Sequence, residues 1–269
     1  MKHPLLERLT SIDPAERRAA CLEAATDPDG PQLAAALSEV LGDPVKAVGR
    51  AASDALVEMH RVAESVHEPV RDALHSDDPK RRWRAAFTAA RMAPPEPRLL
   101  PALVDGLGSS DRDVRWASTR VIVEMGRLHG EVLTVMVGLV RRGESPVVRR
   151  MATFALREMA PDRPEAARVL LEAVSDDDLH VRRAATTAMA SLEKPPLPVV
   201  ERLLDALRED PDAATRRLAA LALGELGAAD PDLLPDGAPD ALSHARASED
   251  LDLRRAIDRA LSRLRDSER

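Results

Sequence analysis

Along this chain small and apolar residues recur three and four positions apart, in windows interrupted by Asp, Pro and Gly. That spacing buries one face of a helix. Between the windows no strand-like alternation of β-branched residues appears. The helical windows also resemble one another. ERRAACLEA from Glu16, VGRAASDAL from Val48, RWRAAFTAA from Arg82 and VRWASTRVI from Val114 align with VRRMATFAL from Val148, VRRAATTAM from Val181, TRRLAALAL from Thr215 and LRRAIDRAL from Leu253. Their starts are 32, 34, 32, 34, 33, 34 and 38 residues apart.

Asp, often with Pro, precedes the windows, as in DPAE at 13, DPVK at 43, DDPK at 77 and DDDL at 176. These are helix-start residues, because Asp accepts from free backbone N–H groups and Pro fits the first turn. A second apolar-periodic stretch lies upstream of each window, such as QLAAALSEVL from Gln32, PALVDGLG from Pro101 or VVERLLDALR from Val199. Proline clusters at 93–98, 160–164 and 194–198 separate one unit from the next. The expected architecture is all-α, a right-handed solenoid of about eight helix–turn–helix pairs filling residues 1–269 as one array. Residues 1–30 and 229–269 are expected to cap its ends.

A pair of about 33 residues whose second helix reads Asp-x-x-x-Val-Arg-x-x-Ala-x-x-Ala-Leu resembles HEAT repeats, especially the short bacterial form seen in phycobilin-lyase-like proteins. The resemblance runs over nearly the whole chain and implies a solenoid that presents a concave surface lined by second helices. Two repeats depart from the motif. Gly49 stands where the motif has Arg, and Arg82-Trp83 stands where Val-Arg is expected.

Helix geometry assigns the two arginines of each window. With the first as position zero and 100° per residue, positions −1, +3, +6, +7 and +10 share the core face. Position zero falls at its margin, so Arg17, Arg115, Arg149, Arg182, Arg216 and Arg254 are expected to form a structural ladder onto the Asp residues before the next helix. Position +1 points away from the core, and in this alignment it carries Arg18, Arg50, Arg84, Trp116, Arg150, Arg183, Arg217 and Arg255. Residues one and two turns further along add Arg91, Arg120, Phe154 and Arg157. The expected partner-binding surface is therefore Arg84, Arg91, Trp116, Arg120, Arg150, Phe154, Arg157 and Arg183. Exposed Trp, Phe and Arg are the types enriched at binding hot spots, and guanidinium suits carboxylate or phosphate.

Composition narrows the function. Two Trp, two Phe and no Tyr leave few of the large residues that shape ligand pockets. A net charge of −7 argues against nonspecific coating of nucleic acid. The single Cys21 excludes an intrachain disulfide and reads as a packing residue. No apolar run is long enough for a membrane span, and MKHPLLERLTSIDP lacks the apolar region of a secretory signal, so a cytoplasmic address is expected.

His60, Glu64 and His67 have metal-ligand spacing, but a turn is expected between His60 and His67, and no metal or other cofactor is expected. Asp176, Asp177 and Asp178 read as helix-capping residues, and no phosphate loop or nucleophile elbow is present. The leading expectation is a non-enzymatic scaffold or adaptor for an acidic, partly apolar protein or peptide. The alternative is a DNA-binding protein similar to the HEAT-like alkylpurine DNA glycosylases. Arg120 one turn after Trp116, and Phe87 one turn after Trp83, do not supply the acid of that family.

Overall fold

Asp13, Asp78, Asp111, Asp178 and Asp212 each stand at a helix N-cap, where the carboxylate accepts from a backbone N–H two or three residues on, at 2.8–3.0 Å. Pro14 and Pro79 occupy the first turn behind two of these caps. In a computed structural model that describes residues 3–159, 162–192 and 195–267, every regular element is helical. Ala160, Pro161 and Lys194 of the expected proline breaks lie outside the described residues.

The chain forms two compact units, Met1–Val132 and Leu133–Arg269. The first contains α1 (Pro4–Leu9), α2 (Pro14–Ala24), α3 (Ala34–Val40), α4 (Lys46–His60), α5 (His67–Asp72), α6 (Pro79–Met92), α7 (Leu100–Leu107) and α8 (Arg112–Leu128). The division falls in the first turn of α9 (Glu131–Arg142). The second unit continues with α10 (Pro146–Met159), α11 (Pro164–Ala173), α12 (Leu179–Met189), α13 (Leu197–Glu209), α14 (Ala213–Ala229), α15 (Ala238–Ala245) and α16 (Leu251–Ser267).

In the first unit α1 pairs with α2, α3 with α4, α5 with α6 and α7 with α8, in the second α11 pairs with α12, α13 with α14 and α15 with α16, and within each unit the pairs stack as in an α-solenoid. Within the first unit α2, α4, α6 and α8 pack in sequence, as do α1, α3 and α5. Within the second unit α10, α12, α14 and α16 form one layer, and α11, α13 and α15 another. Short 3₁₀ turns at Gly30–Leu33, Glu64–Val66 and Pro97–Leu99 lead into three first helices. A fixed proline φ suits such an entry, and Pro31 and Pro97 supply it in two of them.

The buried stripe of the second helices is small. Ala20, Ala52, Ala85, Ser118, Ala152, Ala185 and Ala219 all lie in the core at the same point of the repeat. Leu37, Leu56, Leu103, Leu107, Met125, Met151 and Leu203 fill the space between layers, each contributing about 1.5–3 kcal/mol by burial. Three buried threonines are satisfied within their own helices, as Thr119, Thr153 and Thr186 each donate to the carbonyl four residues back at 2.9 Å. Cys21 is fully buried, and burial pushes its thiol up to about 12, as expected for a packing residue.

The caps also set the phase of each repeat, and they correct the third. Arg17, Arg115, Arg182 and Arg216 stand four residues after their cap Asp, and each donates through Nη1 to the carbonyls six and five residues behind it. In the third repeat the residue that does this is Arg82, bound to the Ser76 and Asp77 carbonyls at 2.8 and 3.1 Å. Trp83 is therefore at position +1, and Arg84 is one place beyond it. The string RWRAA imitates VRRAA with a one-residue offset. With Arg82 restored to position zero, the ladder positions are spaced 32, 33, 33, 34, 33, 34 and 38 residues apart.

Candidate binding site on the second helices

The arginine ladder holds neighbouring repeats at fixed spacing. Arg17 grips Asp43 of the following turn through Nε and Nη2 at 2.6 and 3.1 Å. Arg149 grips Asp176 at 2.8 and 2.9 Å, and Arg182 grips Asp210 at 3.0 and 3.5 Å. Burial alone would raise the carboxyls of Asp43 and Asp176. Hydrogen bonds from Arg17 and the Val45 N–H in one case, and from Arg149 and the Asp178 N–H in the other, outweigh it and hold both below the usual carboxylate range. Among the described residues Arg115 and Arg216 form no ion pair, and the buried Nε atoms of Arg115 and Arg254 lack a hydrogen-bond partner. The sequence-based ladder thus links to an acid at three of its six expected rungs.

Gly49 leaves the second rung empty, and the vacancy is filled from the next repeat. A Cβ at Gly49 would overlap the guanidinium of Arg84. Arg84 Nη1 donates to the Leu41 carbonyl and, at 3.0 Å, to the Asp43 carbonyl, which lies six residues before Gly49. Arg84 thus supplies one of the two carbonyl hydrogen bonds that a ladder arginine at position 49 would make, the one to Asp43, and adds one to Leu41. Burial lowers its pKa, against the opposing pull of Asp43 and Asp78. Its place on the expected docking row is taken by Trp83.

The expected site residues are divided between the two units. Arg84, Arg91, Trp116 and Arg120 belong to the first, and Arg150, Phe154, Arg157 and Arg183 to the second. Trp116 is 39 % exposed, and Arg120 is exposed one turn further along α8. In the second unit Arg183 is held by the α14 cap, with Nε and Nη2 on Asp212 at 2.8 and 2.7 Å. That hydrogen bond, assisted by Thr215 against the opposing effect of burial, holds Asp212 far below the usual carboxylate range. Arg157 pairs with Glu158 at 3.4 Å, Phe154 is half-buried, and the buried Nε of Arg150 has no hydrogen-bond partner.

Within the first unit the outward faces of α4, α6 and α8 enclose a cavity of about 730 Å³. Trp83 and Phe87, one turn apart on α6, stack at 5.4 Å between centroids with planes 12° apart. Arg91 lies over Phe87 with Cζ 5.8 Å from the ring centre, within cation–π range. Its Nη1 pairs with Asp54 at 2.8 Å and donates to Ser53 at 3.1 Å. Lys46, at the start of α4, spans α6 to reach Asp111 and Asp113 at the start of α8, 2.7 Å from each.

Gly106 on α7 makes room for the indole. Trp83 Nε1 donates to Ser118 Oγ at 2.7 Å, and a Cβ on Gly106 would come within 2.6 Å of the Trp83 ring. Gly106→Ala is expected to lower stability by about 1–3 kcal/mol through overpacking and to shift tryptophan emission to the red. Denaturant melts read by fluorescence measure both. Unchanged melts and emission would show that Trp83 is not clamped.

Sequence reasoning placed Arg91 on this surface but missed Trp83 and Phe87. Counting from the Asp78 cap, with position zero four residues on, would have put Trp83 on the outward row. His60 ends α4 and His67 opens α5 as expected, yet their rings lie 5.5 Å apart. Burial lowers the His67 pKa, with help from Arg71 and His60. Among the described residues no three His, Cys, Asp or Glu side chains are placed to hold a metal ion, and no helix is long and apolar enough to cross a membrane.

The family model for HEAT repeats matches residues 67–157 and 135–205. No curated protein matches the chain in sequence. Among solved structures, importin beta is 16 % identical with a TM-score of 0.65 over 99 % of this chain and 40 % of its own. A Kap121p mutant is 13 % identical with a TM-score of 0.64, over 97 % of this chain and 33 % of its own. The Escherichia coli protein YibA is 19 % identical with a TM-score of 0.58, over 98 % of this chain and 92 % of its own. At these identities the likeness is one of fold.

Proposed function

The chain belongs to the HEAT-repeat family, and on that footing we propose that it is a non-enzymatic cytoplasmic scaffold. It holds an acidic, partly apolar protein or peptide on the outer face of its second helices. The exposure of Trp116 beside Arg120, on the face turned from the core, is the observation that supports this most. A large aromatic flanked by guanidinium groups offers apolar area and carboxylate recognition together.

The nucleic-acid alternative is disfavoured by how many cations the fold already uses. Arg17, Arg149, Arg182 and Arg183 are bound to aspartates of their neighbouring repeats, and Lys46 is bound to two. A groove for phosphate needs uncompensated cations along its length.

Replacing Trp116 and Arg120 together by alanine is expected to weaken partner capture at least about tenfold, with the melting curve retained. Quantitative cross-linking and co-purification from the native cell measures it. Undiminished capture by the folded double variant would overturn the assignment to this face. Steep, salt-sensitive binding of duplex DNA would overturn the protein-scaffold reading.

A further inference from the structure

The cavity on the first unit has a charge pattern that selects its occupant. Every acid on its wall is already held: Asp54 by Arg91 at 2.8 Å, Asp105 by Arg82 at 3.3 Å, and Asp111 and Asp113 by Lys46 at 2.7 Å. Three cations on the same wall have no acidic partner. Arg50 and Lys80 form no ion pair among the described residues, and Arg84 is bound only to backbone carbonyls. The space between them is floored by the Trp83–Phe87 stack. Unpaired positive charge around a flat apolar floor complements an apolar side chain carried between carboxylates.

We propose that this cavity is the specificity pocket of the scaffold, and that it takes a short acidic peptide segment of the partner, with one aliphatic or aromatic side chain on Trp83 and Phe87. Flanking carboxylates meet Arg50, Lys80 and the remaining N–H groups of Arg84. At about 730 Å³ the cavity has room for one large side chain and its immediate neighbours. The proposal rests on the scaffold reading above, and it adds to the Trp116 face a second anchor, in a pocket the sequence alignment concealed.

The test selects peptides of about a dozen randomised residues, displayed on phage, against the full chain. The consensus peptide is then synthesised with a fluorophore and titrated by anisotropy against Arg50→Glu, Lys80→Glu and Trp83→Ala. Arg50 and Lys80 are exposed, so their charge reversal leaves the core intact even if Trp83→Ala does not fold. The expected consensus is a Leu, Phe or Trp flanked by Asp and Glu, bound at least about tenfold more weakly by Arg50→Glu and by Lys80→Glu, and unaffected by the exposed Arg168→Glu on α11 of the second unit.

Acidic peptides that bind Arg50→Glu and Lys80→Glu as tightly as wild type, but are lost in the Trp116 and Arg120 double variant, would overturn the pocket and leave the scaffold reading standing. Selection of basic or uncharged peptides would overturn the proposed chemistry. A labelled single-stranded oligonucleotide bound at low salt and lost in Arg50→Glu would reassign the pocket to nucleic acid and sink both readings.

Discussion

Gly49→Arg is expected to be the most damaging single change in the first unit, and Arg84→Ala is expected to cure it. In the native fold the Arg84 guanidinium occupies the space beside Gly49 and satisfies the Leu41 and Asp43 carbonyls. An arginine at position 49 must force a second guanidinium into that space, with overpacking and like-charge burial together costing about 3–5 kcal/mol. Arg84→Ala alone leaves buried carbonyls short of a donor, at about 1–3 kcal/mol.

In the double variant the arginine introduced in place of Gly49 takes the ladder position used by Arg17, Arg82 and Arg115 in other repeats, where it reaches the carbonyls six and five residues back. Stability of this variant is expected within about 1 kcal/mol of wild type, helped by the better helix propensity of Arg over Gly. A double-mutant cycle from urea titrations gives the coupling. Additive losses would show that Arg84 does not substitute for the missing rung.

Arg182→Met is the second large effect expected. This side chain ties three segments together: its Nη1 donates to the Asp176 and Asp177 carbonyls at 3.0 and 3.1 Å, and its Nε pairs with Asp210 at 3.0 Å. Asp210 in turn accepts from the Asp212 N–H at 2.8 Å, and Asp212 caps α14. The Arg182 and Asp210 side chains are only 14 % and 7 % exposed, so removing the guanidinium leaves a nearly buried carboxylate without its countercharge.

The expected cost is about 3–5 kcal/mol. Arg182→Met with Asp210→Asn should recover part of it, because the amide still accepts the cap hydrogen bond without carrying charge. Equilibrium unfolding of the two variants decides the matter. A loss under about 1 kcal/mol in Arg182→Met would mean that apolar packing alone fixes the spacing of these repeats.

Much of this was legible in one dimension. The cap aspartates, the alanine stripe and the turn prolines have local causes, namely unsatisfied N–H groups, helical period and fixed φ. They identified the helical pairs. The ladder was legible in kind, and its pairing with following aspartates holds for Arg17, Arg149 and Arg182. The docking row was less legible because alignment by string similarity ignored the cap. Taken from Asp78, the third repeat puts Trp83 outward and sends Arg84 to another turn. Arg183, read as a docking cation, is held by Asp212, an acid that the helical wheel of α12 does not contain.

The order of residues alone dictates an all-helical chain, the start of each helix and the face it buries, since these follow from contacts within a few residues. Which cations remain unpaired, and where a cavity opens, depends instead on how the repeats stack. A long guanidinium side chain chooses among acceptors brought near by stacking, such as Asp43 for Arg17 or the Leu41 carbonyl for Arg84. The reach of Lys46 to Asp111 and Asp113 passes over an entire repeat, and no local period records it.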